Sequence, residues 1–294
     1  MCVLFAVPFA NELRSQSQTI SDLRRTIETT LDSVGGDFAV AFRTVGNPGA
    51  SLLINEHRTF HAASTMKTPV MVELYRQARE GQFDLDDSIR VTNEFRSIVD
   101  GSRYSLTPEE DSYDALYDHL GELRPIRTLM REMIAASSNL ATNLLIEKVG
   151  AQSITETMRR YGADAIQVRR GVEDTKAYRQ GLNNDTSAYG LLVLLERIAR
   201  REAVSEQASG EMIETLKKQR HNDMIPARLP DSVAVAHKTG WITGVQHDSG
   251  IVFVPNGRTY VLVLLSQNLE DEKAAIEAFA RISRTIFDFL TGRR

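Results

Sequence analysis

Apolar positions along the chain fall into three regimes. Between Thr19 and Leu31 they recur at helical spacing (Ile20, Leu23, Ile27, Leu31) and stop at Gly35-Gly36, which predicts an amphipathic helix. Phe38–Val45 and Ser51–Asn55 are short apolar runs that read as two strands joined by a turn at Asn47-Pro48-Gly49. From Thr65 to about Gln219 helical periodicity dominates, most clearly over Met66–Arg79, Pro125–Ala136, Leu140–Val149, Ile154–Tyr161, Ser187–Arg200 and Glu211–Gln219. Strand patterns return only near the end, at Val233–Thr239, Ser249–Val254 and Thr259–Ser266. The last two are joined by Pro255-Asn256-Gly257, and a helix over Glu272–Leu290 closes the chain.

Strands at both ends with helices between them predict one sheet assembled from the two termini, with a helical lobe inserted. The expected division is an α/β lobe over about 18–63 and 220–294 and a helical lobe over about 64–219, all one folding unit. Ligands tend to sit where lobes meet, so chemical candidates are sought there.

Composition narrows the classes. A chain of 294 residues can bury a core without disulfide or metal staples. Its net charge of -4 lacks the basic excess of a nucleic-acid binder. The single cysteine, Cys2, lies in the apolar start Met1–Ala10, too short a run to span a bilayer but matching the hydrophobic core of a secretory leader. Residues 1–17 are therefore expected to be a leader or a disordered segment. The mature protein is then periplasmic or secreted, free of cysteine and without stable membrane insertion.

Three short motifs carry candidate chemistry. In Ser64-Thr65-Met66-Lys67 the first and fourth residues share a face at a helix start, so the Ser64 hydroxyl and the Lys67 amine are expected to meet. A lysine kept neutral by burial can take the serine's proton, and the helix N-terminus directs free N–H groups at the reaction centre. Lys238-Thr239-Gly240, near the end of a predicted strand, offers positive charge, a hydroxyl, and a glycine against which a ligand can lie. Ser137-Ser138-Asn139, between two helices, read alone is an N-cap. His57 and His61 are four apart but lie in a predicted strand without the glutamate of a zinc motif. They read as packing or surface residues. His237 should point to the opposite side of its strand from Lys238.

Taken together, these motifs in their order and context resemble the class A β-lactamase and penicillin-binding protein family, whose motif set is S-x-x-K, S-D-N and K-T-G. The likeness runs from about Ser21 to Leu290 and includes Leu85-Asp86-Asp87. It implies an α/β (α+β) fold, with a five-stranded antiparallel sheet flanked by N- and C-terminal helices and an all-helical lobe beside it. It implies Ser64, Lys67 and Ser137 as catalytic residues, and Glu173, on a long loop with Asp174 as an adjacent competitor, as the base for the hydrolytic water. Asn139, Lys238, Thr239, Gly240 and Trp241 would bind substrate, with the backbone N–H groups of Ser64 and Trp241 forming the oxyanion hole. Gly171–Tyr178 followed by Gly181-Leu-Asn-Asn looks like a branch labelled simply serine hydrolase. No cofactor or metal is implied, and the substrate is a small β-lactam or related acyl compound handled by a monomer.

The chain also departs from that pattern. Ser138 stands where the family usually has an aspartate that ties the lobes together. Ala177 falls where an asparagine helps hold the hydrolytic water, leaving Asn183 or Asn184 as substitutes. Trp241 replaces a smaller residue. No arginine for the substrate carboxylate is evident after the triplet, with His247 and Thr243 nearby. A β-lactamase is the leading expectation; the alternatives are a DD-peptidase or esterase on the same fold, or a penicillin-binding sensor that is acylated without turnover.

Overall fold

Short runs of β-branched and aliphatic residues form the five strands of the main sheet. These are β1 (Asp37–Thr44), β2 (Ser51–Ile54), β3 (Ala234–Ile242), β4 (Val245–Phe253) and β5 (Thr259–Gln267). The computed structural model describes residues 8–46 and 49–292, and side chains from Ile20 onward. Met1–Val7, the first part of the expected leader, and Asn47-Pro48 of the expected turn lie outside the described residues.

The strands make one antiparallel sheet in the order β2-β1-β5-β4-β3. The two ends of the chain join through β1 and β5, where Val40 faces Leu264 and Phe42 faces Leu262. Successive side chains point to opposite faces. Ala39, Ala41, Val261, Val263 and Leu265 pack toward the middle helices, whereas Val40, Phe42, Leu262 and Leu264 pack against α1 (Pro8–Asp32) and α9 (Glu272–Thr291). With both faces covered, the strands read as continuous apolar runs rather than alternating ones.

The middle of the chain supplies α2 (Lys67–Arg79), α3 (Ile126–Ala135), α4 (Asn139–Val149), α5 (Ala151–Arg160), α6 (Thr175–Arg179), α7 (Ala188–Ala199) and α8 (Glu206–Leu216). The expected helix over Glu211–Gln219 is shifted. It begins at Glu206 because the Ser205 hydroxyl accepts the Ala208 N–H at 3.1 Å, and it ends at Leu216. Helix α1 begins at Pro8, upstream of the expected Thr19. Strands β3 and β4 extend past their expected bounds to a turn at Thr243-Gly244, where Gly244 has φ 73°. Gln246, His247 and Asp248 are buried there, and polar residues give no apolar signal. His57 lies outside any strand; only Phe60–His61 is extended, paired with Asp185–Thr186.

Candidate active site

A 3-10 turn, Ala63–Met66, precedes α2, and Ala63 at its start has φ 44°. The turn presents Ser64 to a cleft of about 480 Å³, which Asn139, Glu173 and Trp241 also line. Edge strand β3 runs against the turn. A Cβ on Gly240 would stand 2.8 Å from the Ser64 nitrogen and 2.9 Å from that of Thr65, so glycine permits the approach.

Behind the cleft wall lies a buried polar cluster. Lys67, fully buried, donates to the Ser137 carbonyl at 2.6 Å, to Ser137 Oγ at 3.1 Å and to Asn139 Oδ1 at 2.9 Å. Its three ammonium hydrogens are thereby accounted for. The Ser64 hydroxyl is not among its partners, so the pairing expected from the i, i+3 spacing is not formed. Three oxygens of the Ser137–Asn139 turn hold the amine instead. Lys238, on the face of β3 turned toward that turn, donates to Ser137 Oγ at 3.1 Å and to the Thr239 carbonyl at 3.0 Å. Ser137, itself buried, has φ 61°. The Thr239 hydroxyl is buried without a hydrogen-bond partner. Burial pushes the Lys67 amine down to about 7 against the upward pull of Asp111 and Glu173. Burial and the Lys67 charge hold Lys238 well below the usual lysine range.

The N-terminus of α4 fixes Asn139. Ser138 Oγ accepts the Ala141 N–H at 3.1 Å, which is a local cap. Asp111, arriving from a distant loop, accepts the N–H groups of Asn139 at 2.9 Å and Leu140 at 2.8 Å, and the Tyr117 hydroxyl at 3.2 Å. Nothing in the local sequence marks Asp111 as the acceptor at this helix end.

Glu173 and Asp174 are separated by their surroundings. Asp174 caps α6, accepting from Ala177 N at 3.1 Å, Ser97 Oγ at 2.8 Å and Ile98 N at 2.9 Å. Glu173 has φ 61°, and both it and Asp174 line the cleft. Burial first, then neighbouring Glu110, raises its carboxyl, while Arg170 and Lys67 draw it down. Asn143 clamps the adjacent Val172 peptide, accepting its N–H at 2.7 Å and donating to its carbonyl at 3.0 Å. Its position one helical turn after Asn139 was a legible signal.

Of the residues expected to stand in for missing family groups, Asn183, Asn184 and His247 are committed elsewhere, and the departure at Ala177 is a buried one. Asn184 reaches the cleft, but its carbonyl oxygen accepts from Arg169 N and Arg170 N and its amide donates to the Met66 sulfur and the Arg170 carbonyl. Asn183 Oδ1 meets the Arg170 guanidinium at 3.4 Å. His247 is not available to a substrate carboxylate. It is buried in the sheet, opposite Gly240, with Nε2 at the His61 carbonyl (2.9 Å). Thr243 lines the cleft. His237 points to the other side of β3, to Asp248 at 2.9 Å and Asn222 at 3.0 Å. Trp241, 37% exposed as a residue, sets its ring edge to face with His221, centroids 4.7 Å apart. A larger groove of about 850 Å³, lined by Tyr75, Arg127 and Glu211, holds none of these groups.

Residues 22–290 match the model of the Beta-lactamase enzyme family, and the chain belongs to that family. It is a hydrolase of the penicillin-recognising serine type. The extended-spectrum β-lactamase PER-1 of Pseudomonas aeruginosa is 23% identical over 255 residues, covering 81% of this chain and 78% of that protein. A β-lactamase from Chitinophaga pinensis superposes with a TM-score of 0.79 at 22% identity, covering 91% of this chain and 98% of that one. A variant of PBP-A, solved as an acyl-enzyme complex with penicillin G, gives a TM-score of 0.76 at 23% identity, covering 92% and 97%. The two structures share the fold.

Proposed function

We propose that this enzyme is a class A-like β-lactamase that works through a Ser64 acyl-enzyme and Glu173-assisted deacylation. The observation that carries the reading is one juxtaposition. Ser64 and Glu173 open onto the same cleft while Lys67, Ser137 and Lys238 converge directly behind it.

In the forward step Ser64 Oγ attacks the lactam carbonyl carbon, and neutral Lys67, released from Ser137, takes its proton. The developing oxyanion is received by the backbone N–H groups of Ser64 and Trp241, where one such donor contributes roughly 3 kcal/mol. When the C–N bond breaks, Ser137 protonates the departing nitrogen and recovers a proton from the lysine pair. Glu173 then removes a proton from the water that attacks the ester, the ester C–O bond to Ser64 breaks, and that proton passes on to the departing Ser64 oxygen, which regenerates the hydroxyl and the Glu173 carboxylate. A positioned base of this kind supplies about 10²–10⁴-fold. Asn139 binds the substrate's side-chain amide, and Lys238 with Thr239 its carboxylate. The enzyme acts as a monomer outside the cytoplasmic membrane, delivered by the apolar leader.

A second reading, acylation with little turnover, is favoured by buried Ala177 and by the saturated Asn184 amide, which leave Glu173 without an obvious helper for the water. Incubation with the chromogenic cephalosporin nitrocefin separates the two. Steady hydrolysis supports the lactamase and a stoichiometric burst the sensor. Absence of any reaction, alongside cleavage of simple esters or cell-wall peptides, would replace both with an esterase or peptidase.

A further inference from the structure

The groove of about 850 Å³ lies apart from the catalytic cleft, walled by α2, α3, α8 and the turn that joins α7 to α8. Charge in its lining is unevenly paired. Glu211 accepts from Arg127 at 2.9 Å, from the Tyr75 hydroxyl at 3.2 Å and from Gln207 at 3.0 Å. Arg127 also holds Asp86 at 2.8 Å, and Glu214 pairs with Lys217 at 2.7 Å. Each acid of the lining therefore has its own cation. Arg131, Arg201 and Lys218 line the same groove, and their side chains make no hydrogen bond or ion pair among the described residues. In a chain of net charge -4 this is a local excess of positive charge with nothing opposite it.

We propose that this groove is a second binding site, which takes a ligand carrying linked phosphate groups.

The cations are set in place by the fold. Arg201 has φ 64°, a backbone conformation uncommon outside glycine. Its N–H donates to the Ile198 carbonyl at 3.1 Å, and the Glu202 N–H to the Arg197 carbonyl at 2.8 Å, so the turn is closed around it. On the far side of the turn Ser209 Oγ donates to the Ala203 carbonyl at 2.7 Å. The Arg201 side chain then lies across α8 at Gly210, where a Cβ would stand 2.3 Å from its Nη1. Glycine inside a helix weakens it, and here the missing methyl group is the space the guanidinium occupies. Arg131 projects from α3 and Lys218 follows the end of α8, both exposed, so the three charges reach the groove from separate segments.

The lining also selects the ligand's chemistry. Its large apolar side chains, Tyr75 and Met130, are themselves buried, which leaves little surface for a hydrophobic body. Linked phosphates concentrate several charges and many acceptor oxygens in a small volume, and a guanidinium fork meets two such oxygens at once. A polycarboxylate of equal charge needs a carbon frame that this groove does not accommodate as well.

The test is calorimetric titration of the full chain with pyrophosphate at about 50 mM ionic strength, where charge pairing is only partly screened. One saturable site is expected. Arg131→Ala and Arg201→Ala should each weaken it by about tenfold or more, the loss typical of a charged hydrogen bond. Arg103→Ala, which removes an exposed cation paired with Glu94 elsewhere, should leave it unchanged. Gly210→Ala should push the Arg201 guanidinium off α8 and weaken binding with every charge retained, while the thermal midpoint of the free protein holds or rises. Such a pattern cannot come from a damaged fold. Adenosine diphosphate, titrated in parallel, identifies the source: tighter pyrophosphate binding marks a free oligophosphate, tighter diphosphate nucleotide binding a nucleotide, and either supports the site. Absence of saturable binding, unchanged affinity in Arg201→Ala and Arg131→Ala, an equal loss in Arg103→Ala, or citrate binding as tightly as pyrophosphate overturns the proposal. None of these readouts depends on the β-lactamase reading.

Discussion

Lys67 and Lys238 aim their amines at the same hydroxyl, each 3.1 Å from Ser137 Oγ. Burial disfavours the charged form of both amines, and the Lys67 charge further disfavours one on Lys238. The titration of Lys67 near 7 then has a kinetic signature. Its neutral form, the one able to accept the Ser64 proton, prevails above that value, so acylation should accelerate as pH rises through about 7 and level off beyond. Single-turnover acylation measured against pH checks this. The same limb should persist in Glu173→Gln, since in the proposed mechanism Glu173 acts only after acylation, and should vanish in Lys67→Arg.

Glu173→Ala should trap the acyl-enzyme. Acylation proceeds, deacylation slows by about 10²–10⁴-fold, and intact mass spectrometry shows the protein carrying one penicillin. An unchanged steady-state rate in this variant removes Glu173 from the mechanism. Asp174→Ala should behave differently, because that carboxylate caps α6 and binds Ser97 and Ile98. Its loss should lower stability by about 1–2 kcal/mol, read as a reduced urea midpoint.

Gly240→Ala places a methyl group against the backbone nitrogens of Ser64 and Thr65, neither of which is the flexible end of a side chain. The strand must move away from the turn. The expected outcome is a loss of about 1–3 kcal/mol of stability, with acylation impaired beyond what that loss explains. A variant with normal acylation would show that β3 need not lie this close to Ser64.

Asp111→Ala removes the acceptor for the Asn139 and Leu140 N–H groups and for Tyr117. It should cost about 1–2 kcal/mol by thermal denaturation. It should also weaken acylation, because Asn139 orients Lys67 through its side-chain oxygen.

Much of the fold was legible because the signals were local. The sheet's apolar runs and the repeating helical faces needed no tertiary information, and the polar stretch Gln246–Asp248 hid the start of β4 for the complementary reason. The site was legible to the extent that its motifs are contiguous. Ser64, Asn139, Glu173 and Trp241 do line one cleft, with Lys67, Ser137 and Lys238 gathered behind it. What could not be read were contacts across long sequence separations. Asp111 caps a helix in another segment, His221 reaches the edge of a strand it does not belong to, and the Ser137–Asn139 turn takes the Lys67 hydrogens that helical spacing had assigned to Ser64. His247 misled because nearness in sequence to the Lys238 triplet is not access to the cleft.

The pairing of β1 with β5 has a consequence for biogenesis. A nascent chain cannot close its sheet until the last strand has emerged, and Ser64 is made long before Lys238 reaches it. Pairing the first strand with the last closes the longest loop available, which slows folding. A ribosome-stalled chain ending before Thr259 should therefore bind no penicillin, however complete its helices, and release of the final segment should bring binding all at once.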